Sequence, residues 1–127
     1  MRGCPELETL EICQGSNISD LGPLASCSRL KMLALIRSLT DDLSPLSSMP
    51  LLEELSIFRC SSIQSLDPLS GLMNLHYLDC FGIDPQTSLL PLASCTGLKD
   101  LRCNIKAMDL RELKKMRPEF FTRIFKL

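Results

Sequence analysis

One spacing constrains this chain more than any other feature. The pattern L-x-x-L falls at Leu7/Leu10, Leu30/Leu33, Leu52/Leu55, Leu75/Leu78 and Leu98/Leu101, in steps of 23, 22, 23 and 23 residues. A second pattern, L-x-P-L, lies between these at Leu21–Leu24, Leu43–Leu46, Leu66–Leu69 and Leu89–Leu92. With about one leucine in five, ten specified positions would all be leucine by chance with a probability on the order of 10⁻⁷, so the spacing marks a true repeat. A unit this short cannot bury its apolar face alone; stacked copies share one core.

Within each unit, the order L-x-x-L-x-ϕ ends on Ile12, Leu35, Ile57, Cys80 or Cys103. The alternation at the fourth and sixth positions is the period of a short strand with one buried face. The L-x-P-L segment is the return path. Ser44-Pro45 and Asp67-Pro68 read as an N-cap followed by Pro at the first helical position, where φ is already set and the missing N–H costs nothing. One helical turn then aims Leu24/Cys27, Leu46/Met49, Leu69/Leu72 and Leu92/Cys95 the same way.

A unit with one strand and one Pro-started turn resembles the leucine-rich repeat, in the short form of internalin-like and phosphatase-regulatory proteins. The resemblance covers roughly residues 4–105. It implies an α/β fold: a right-handed solenoid with a five- to six-stranded parallel concave sheet and short helical or 3-10 turns on the convex side. It divides the chain into five repeats over 1–105 and a C-terminal capping helix and strand over 106–127. At the ninth position, where this family carries Asn or Cys, only Cys60 matches, with Gly15, Ser38, Ile83 and Lys106 elsewhere. Less regular loops are therefore expected at Ser38–Asp42 and Asp84–Ser88.

The chain has 127 residues with 45% hydrophobic content, enough for one continuous core, and a net charge of −1 that argues against generic nucleic-acid binding. No apolar run suggests a signal peptide or a membrane span. Seven cysteines form no C-x-x-C pair. They follow the repeat and alternate with Met49 and Leu72, so they read as small buried hydrophobes in a reduced, cytoplasmic protein, with neither metal nor cofactor expected. Asn17-Ile18-Ser19 is a glycosylation tripeptide that matters only in the secretory pathway.

The exposed residues carry the functional information. After each first Leu stand Glu8, Lys31, Glu53, His76 and Lys99, which read as a ladder of exposed ion pairs at neighbouring rungs about 4.8 Å apart. His76 has no nucleophile placed beside it by motif. Past the sixth position stand Ile36, Phe58 and Phe81, with Tyr77 to one side and Arg37 and Arg59 along the edge. This is the composition of interaction hot spots; the alternative is that the adjacent loops fold over the column and bury it. Five rungs exposing about 17 Å each give a wall of about 400 Å², against about 800 Å² per partner in a standard interface.

Over 106–127 the repeat ends. Met108, Leu110, Leu113 and Met116 fit an amphipathic helix stopped by Pro118, and residues 120–125 read as a strand or extended tail. This segment has charge +4 and the remainder −5. A capping role covers the last apolar rung; a membrane or partner anchor is the alternative. At the other end, either Met1–Glu6 suffices as a cap or the chain is the C-terminal piece of a longer array.

These readings point to a non-enzymatic module that binds a protein or peptide on its concave surface, with no nucleic acid, membrane or catalytic set. Ile36, Phe58, Tyr77 and Phe81 would anchor the partner, and Arg37, Arg59 and Arg102 would orient it. A different class of answer is a structural segment of a larger leucine-rich-repeat protein, such as a ubiquitin-ligase adaptor or receptor-like sensor, with binding elsewhere. A monomer is expected, with an edge-mediated dimer as the alternative.

Overall fold

The structure is a computed structural model that describes residues 6–13, 20–84, 86–104, 110–116 and 121–125. Among these residues six strands are separated by 3-10 turns and, before the last strand, by a helix: β1 (Thr9–Ile12), β2 (Met32–Leu35), β3 (Glu54–Ser56), β4 (Tyr77–Asp79), β5 (Asp100–Asn104) and β6 (Phe121–Phe125). They form one sheet in chain order, and every neighbouring pair is parallel. The register aligns Leu10, Leu33, Leu55, Leu78 and Leu101 across five strands. A shift of one residue would turn this whole leucine row to the other face, so burial itself fixes the pairing.

The rows behind the sheet are buried as the repeat requires. Leu30, Leu52, Leu75 and Leu98 form one, Leu35, Ile57, Cys80 and Cys103 a second, and Leu24, Leu46, Leu69 and Leu92 a third from the convex wall. That wall consists of 3-10 turns at Gly22–Ser26, Ser44–Ser48, Asp67–Leu69 and Leu90–Ser94, each with Pro near its start.

Their capping differs from the sequence expectation. Ser44 and Asp67 lie inside the turns, Leu43 and Leu66 occupy the N-cap positions, and no N-cap side chain makes a capping bond. The residue before each of those leucines caps instead. Asp20 Oδ1 accepts from Gly22 N at 2.8 Å, Asp42 Oδ1 from Ser44 N at 2.9 Å, Ser65 Oγ from Asp67 N at 3.1 Å and Ser88 Oγ from Leu90 N at 3.2 Å. These are Asx- and Ser-type turns, in which a short side chain ties down the N–H two residues on. The leucine between can therefore point into the core.

The loops between strand and turn are each held differently, as the ninth-position departures predict. Cys60 Sγ donates to Leu35 O at 3.0 Å. In the preceding repeat Ser38 Oγ accepts from Thr40 N at 3.2 Å. In the following one Thr87 Oγ1 donates to Ile63 O at 3.3 Å, while Asp84 Oδ1 takes Gln86 N at 2.9 Å. Thr40, Ile63 and Thr87 are all buried, so two threonines stand in the core where one repeat carries isoleucine.

After β5, α1 (Leu110–Met116) packs against the last 3-10 turn, and β6 extends the sheet beyond β5. Leu113 is buried, but Met116 is 59% exposed, so the apolar stripe read from the sequence does not all face inward. The Asn17 tripeptide, Met108 and Pro118 lie outside the described residues. Five of the six described cysteines are buried and Cys13 is exposed. No helix among the described residues is long and apolar enough to cross a membrane.

Candidate functional site

The outward residues that follow the strands build the first surface. Phe58 and Phe81 stack with centroids 5.7 Å apart and planes at 22°. The Arg59 guanidinium covers both rings, at 5.4 Å and 5.6 Å from their centroids. Burial along the column is graded: Ile36 and Phe58 are half-buried, whereas Phe81 is only 8% exposed. Phe81 therefore supports Phe58 and Arg59 and offers little surface of its own, which corrects its reading as an outward anchor. The ladder continues beneath these side chains, with Arg37 N donating to Phe58 O at 2.9 Å and Arg59 N to Phe81 O at 2.7 Å.

Beside this cluster the strand exits open into a groove of about 590 Å³. Arg37 and Arg59 line it with Leu39, Ser61, Gly82 and Asp84. Leu39 is 65% exposed. The sequence reading named the arginines but not Leu39, Ser61 or Asp84.

Tyr77 and Arg102 belong to a second surface, the middle of the concave face. Tyr77 lines a hollow of about 170 Å³ with Met32, Ala34, Glu54 and Ser56, all from three adjacent strands. Arg102 Nη1 lies 3.2 Å from Asp79 Oδ2. A hydrogen bond with Tyr77 is the main influence that holds the Arg102 guanidinium in its charged form, and Asp79 adds to it. The seven residues expected to form one site thus fall into two groups, Ile36, Arg37, Phe58, Arg59 and Phe81 at the strand exits, and Tyr77 and Arg102 on the strands.

Asp79 was not legible as a special residue. It occupies an outward strand position, yet it is buried, with Oδ1 accepting from Phe81 N at 3.1 Å. Burial pushes its carboxyl above the ordinary 3.8, and the Phe81 N–H and Arg102 pull it part of the way back. A raised carboxylate favours the fold fully below its unfolded value, and that contribution is lost as pH rises through the folded value. Wild type should therefore lose stability relative to Asp79→Asn as pH rises from about 3.9 through the raised folded value. Urea midpoints of both proteins across that window check this; a wild-type midpoint that stays constant or rises relative to that of Asp79→Asn contradicts it.

The ion-pair ladder expected after the first leucines is largely absent among the described residues. Lys31 Nζ lies 3.7 Å from Glu8 Oε1, but Glu53, His76 and Lys99 show no ion pair there. The ladder is made by backbone instead: Lys31, Glu53, His76 and Lys99 each donate N–H to the equivalent carbonyl one rung earlier, at 2.8 to 3.1 Å. Among the described residues no cluster of His, Cys, Asp and Glu is placed to hold a metal ion.

No protein-family model matches the chain, and no curated protein matches it in sequence. Solved structures do match in shape. An internalin C2 from Listeria monocytogenes overlays with a TM-score of 0.67 at 23% identity, over 87% of this chain. An internalin from the same organism, internalin F, gives a TM-score of 0.40 at 14% identity, over 94% of this chain and 56% of its own, so the fold comparison rests on the first. This chain spans about half, 51%, of the internalin C2 structure. Internalins are leucine-rich-repeat proteins, and the parallel sheet, the aligned leucine rows and the Pro-started 3-10 turns agree with that likeness. The fold of this chain is the leucine-rich-repeat solenoid.

Proposed function

We propose that the chain is a non-enzymatic, cytoplasmic protein-interaction module that receives a protein or peptide on its concave side. The observation that carries this reading is the hollow among Met32, Ala34, Glu54, Ser56 and Tyr77, a mainly apolar depression on the strand wall with a carboxylate in its lining. A hollow of about 170 Å³ suits one anchoring side chain, and hot spots are built from such anchors. Ile36, Phe58 and Tyr77 supply apolar contact, Arg37, Arg59 and Arg102 supply orientation, and Phe81 supports Phe58 from beneath. The buried thiols support a reducing compartment.

Peptide display against the 127-residue chain tests the reading. Enriched peptides should bind Tyr77→Ala plus Phe58→Ala at least about tenfold more weakly than wild type, with the urea transition retained. Equal binding to the folded double variant would reject the concave site. Failure to enrich any peptide would favour the second reading, a structural segment of a longer repeat protein, for which the 51% span of internalin C2 leaves room.

A further inference from the structure

Among the described residues, the only non-glycine positions with left-handed backbone are Arg37 and Arg59, each at φ 56°. They are equivalent residues of successive repeats, just past the strand exits, and the next repeat has Gly82 there at φ 88°. Gly82 shows that the turn needs only the conformation and not an arginine. A side chain in this region is disfavoured, least so for Asn and Asp. Two arginines at two such places, both lining one groove, point to a use for their charge.

The groove's geometry favours a bound anion. The Arg59 guanidinium sits over the Phe58 and Phe81 rings, and this cation–π contact holds the group without neutralising its charge. A side chain fixed in this way loses less freedom on binding. The groove's volume of about 590 Å³ lies within the roughly 300–1,000 Å³ of ligand clefts, and exposed Leu39 adds an apolar contact.

Resting on the binding-module reading, we propose that this strand-exit groove takes an acidic peptide segment of a partner protein. Carboxylates at alternate residues of the extended segment pair with Arg37 and Arg59, and an apolar side chain covers Leu39. Alternate residues of an extended strand sit about 6.6 Å apart, and two long arginines on rungs about 4.8 Å apart reach that spacing. Asp84, at the side of the groove contributed by the repeat after Arg59, repels a carboxylate and so fixes which part of the segment carries the charge.

Fluorescence anisotropy with a labelled peptide of alternating glutamate and leucine tests this, beside the same peptide with glutamine or phosphoserine in place of glutamate. The glutamate peptide should bind, weaken with added salt, and bind at least about tenfold more tightly than the glutamine peptide. Arg37→Asn should weaken it by about tenfold while raising the urea midpoint, because Asn accepts the left-handed backbone more readily. Arg59→Gln should weaken it similarly. Affinity and stability moving in opposite directions is a signature that a merely structural arginine would not give. Equal binding of the glutamine peptide, or an unchanged affinity for Arg37→Asn, overturns the proposal. Binding of the phosphoserine peptide alone overturns it in favour of a phosphorylated partner. If displayed peptides bind the concave face and the glutamate peptide does not bind, this proposal fails alone; if neither binds, the module reading fails with it.

Discussion

Gly82→Ala lowers the stability of the folded chain by about 2–5 kcal/mol, combining left-handed strain with overpacking. Gly82 has φ +88°, and a Cβ there would lie 2.8 Å from Arg59 Cγ, 2.9 Å from Arg59 Cα and 3.2 Å from Arg59 N. The two main-chain atoms cannot swing aside as a side-chain tip can. Arg59 N is also tied to Phe81 O at 2.7 Å, so relief of the clash breaks a rung of the ladder. Gly71 provides the control: its φ is +85°, but nothing lies within 4 Å of an added Cβ. Gly71→Ala should cost only the conformational part, about 1–2 kcal/mol. Urea denaturation of the two variants measures the difference. Equal losses would mean that Arg59 does not crowd this position.

Leu78→Ala is the second large effect, at about 2–5 kcal/mol. Leu78 is fully buried, pairs in register with Leu55 on one side and Leu101 on the other, and lies in the row on which the parallel stacking depends. In a solenoid each repeat is stabilised mainly by its two neighbours, so a cavity here weakens both interfaces at once. A shallower urea transition should accompany the lower midpoint, as the two halves begin to unfold separately. Met73→Ala, with Met73 59% exposed, should change the midpoint little. A loss at Leu78 no larger than that at Met73 would contradict the shared-core account.

The inward rows were legible because spacing alone determines them. A leucine every 22 or 23 residues admits few arrangements besides stacked, in-register rungs, and Leu33, Leu55 and Leu78 lie where that argument puts them. The turn caps were also written in the sequence, two residues earlier than expected. Asp20, Asp42, Ser65 and Ser88 each precede the leucine of L-x-P-L, and an Asx-type turn explains the offset better than an N-cap does.

The outward side was less legible, because alternation says which way a residue points and not what then covers it. Phe81 is buried by contacts from other repeats and from its own turn, with Arg59 over its ring and Asp79 holding its N–H. Asp79 is buried although its strand position faces outward, since Phe81 N–H in its own turn and Arg102 of the next repeat both bind it, and no pattern within one repeat reveals the second. Glu8, Lys31 and Glu53 alternate in sign after the first leucines, yet the rungs there are joined by backbone N–H groups. Those bonds are available to every residue type except proline, so the charges in the sequence hold no trace of them.

The most direct test of the interaction-module account is an amide NMR footprint of the 127-residue chain with a display-selected peptide bound. The account predicts the largest shifts at Met32, Ala34, Glu54, Ser56 and Tyr77 and at the strand exits around Ile36, Arg37, Phe58 and Arg59, with the convex turns at Gly22–Ser26 and Ser44–Ser48 nearly unmoved. Shifts concentrated on those convex turns, with the concave strands unchanged, would contradict it.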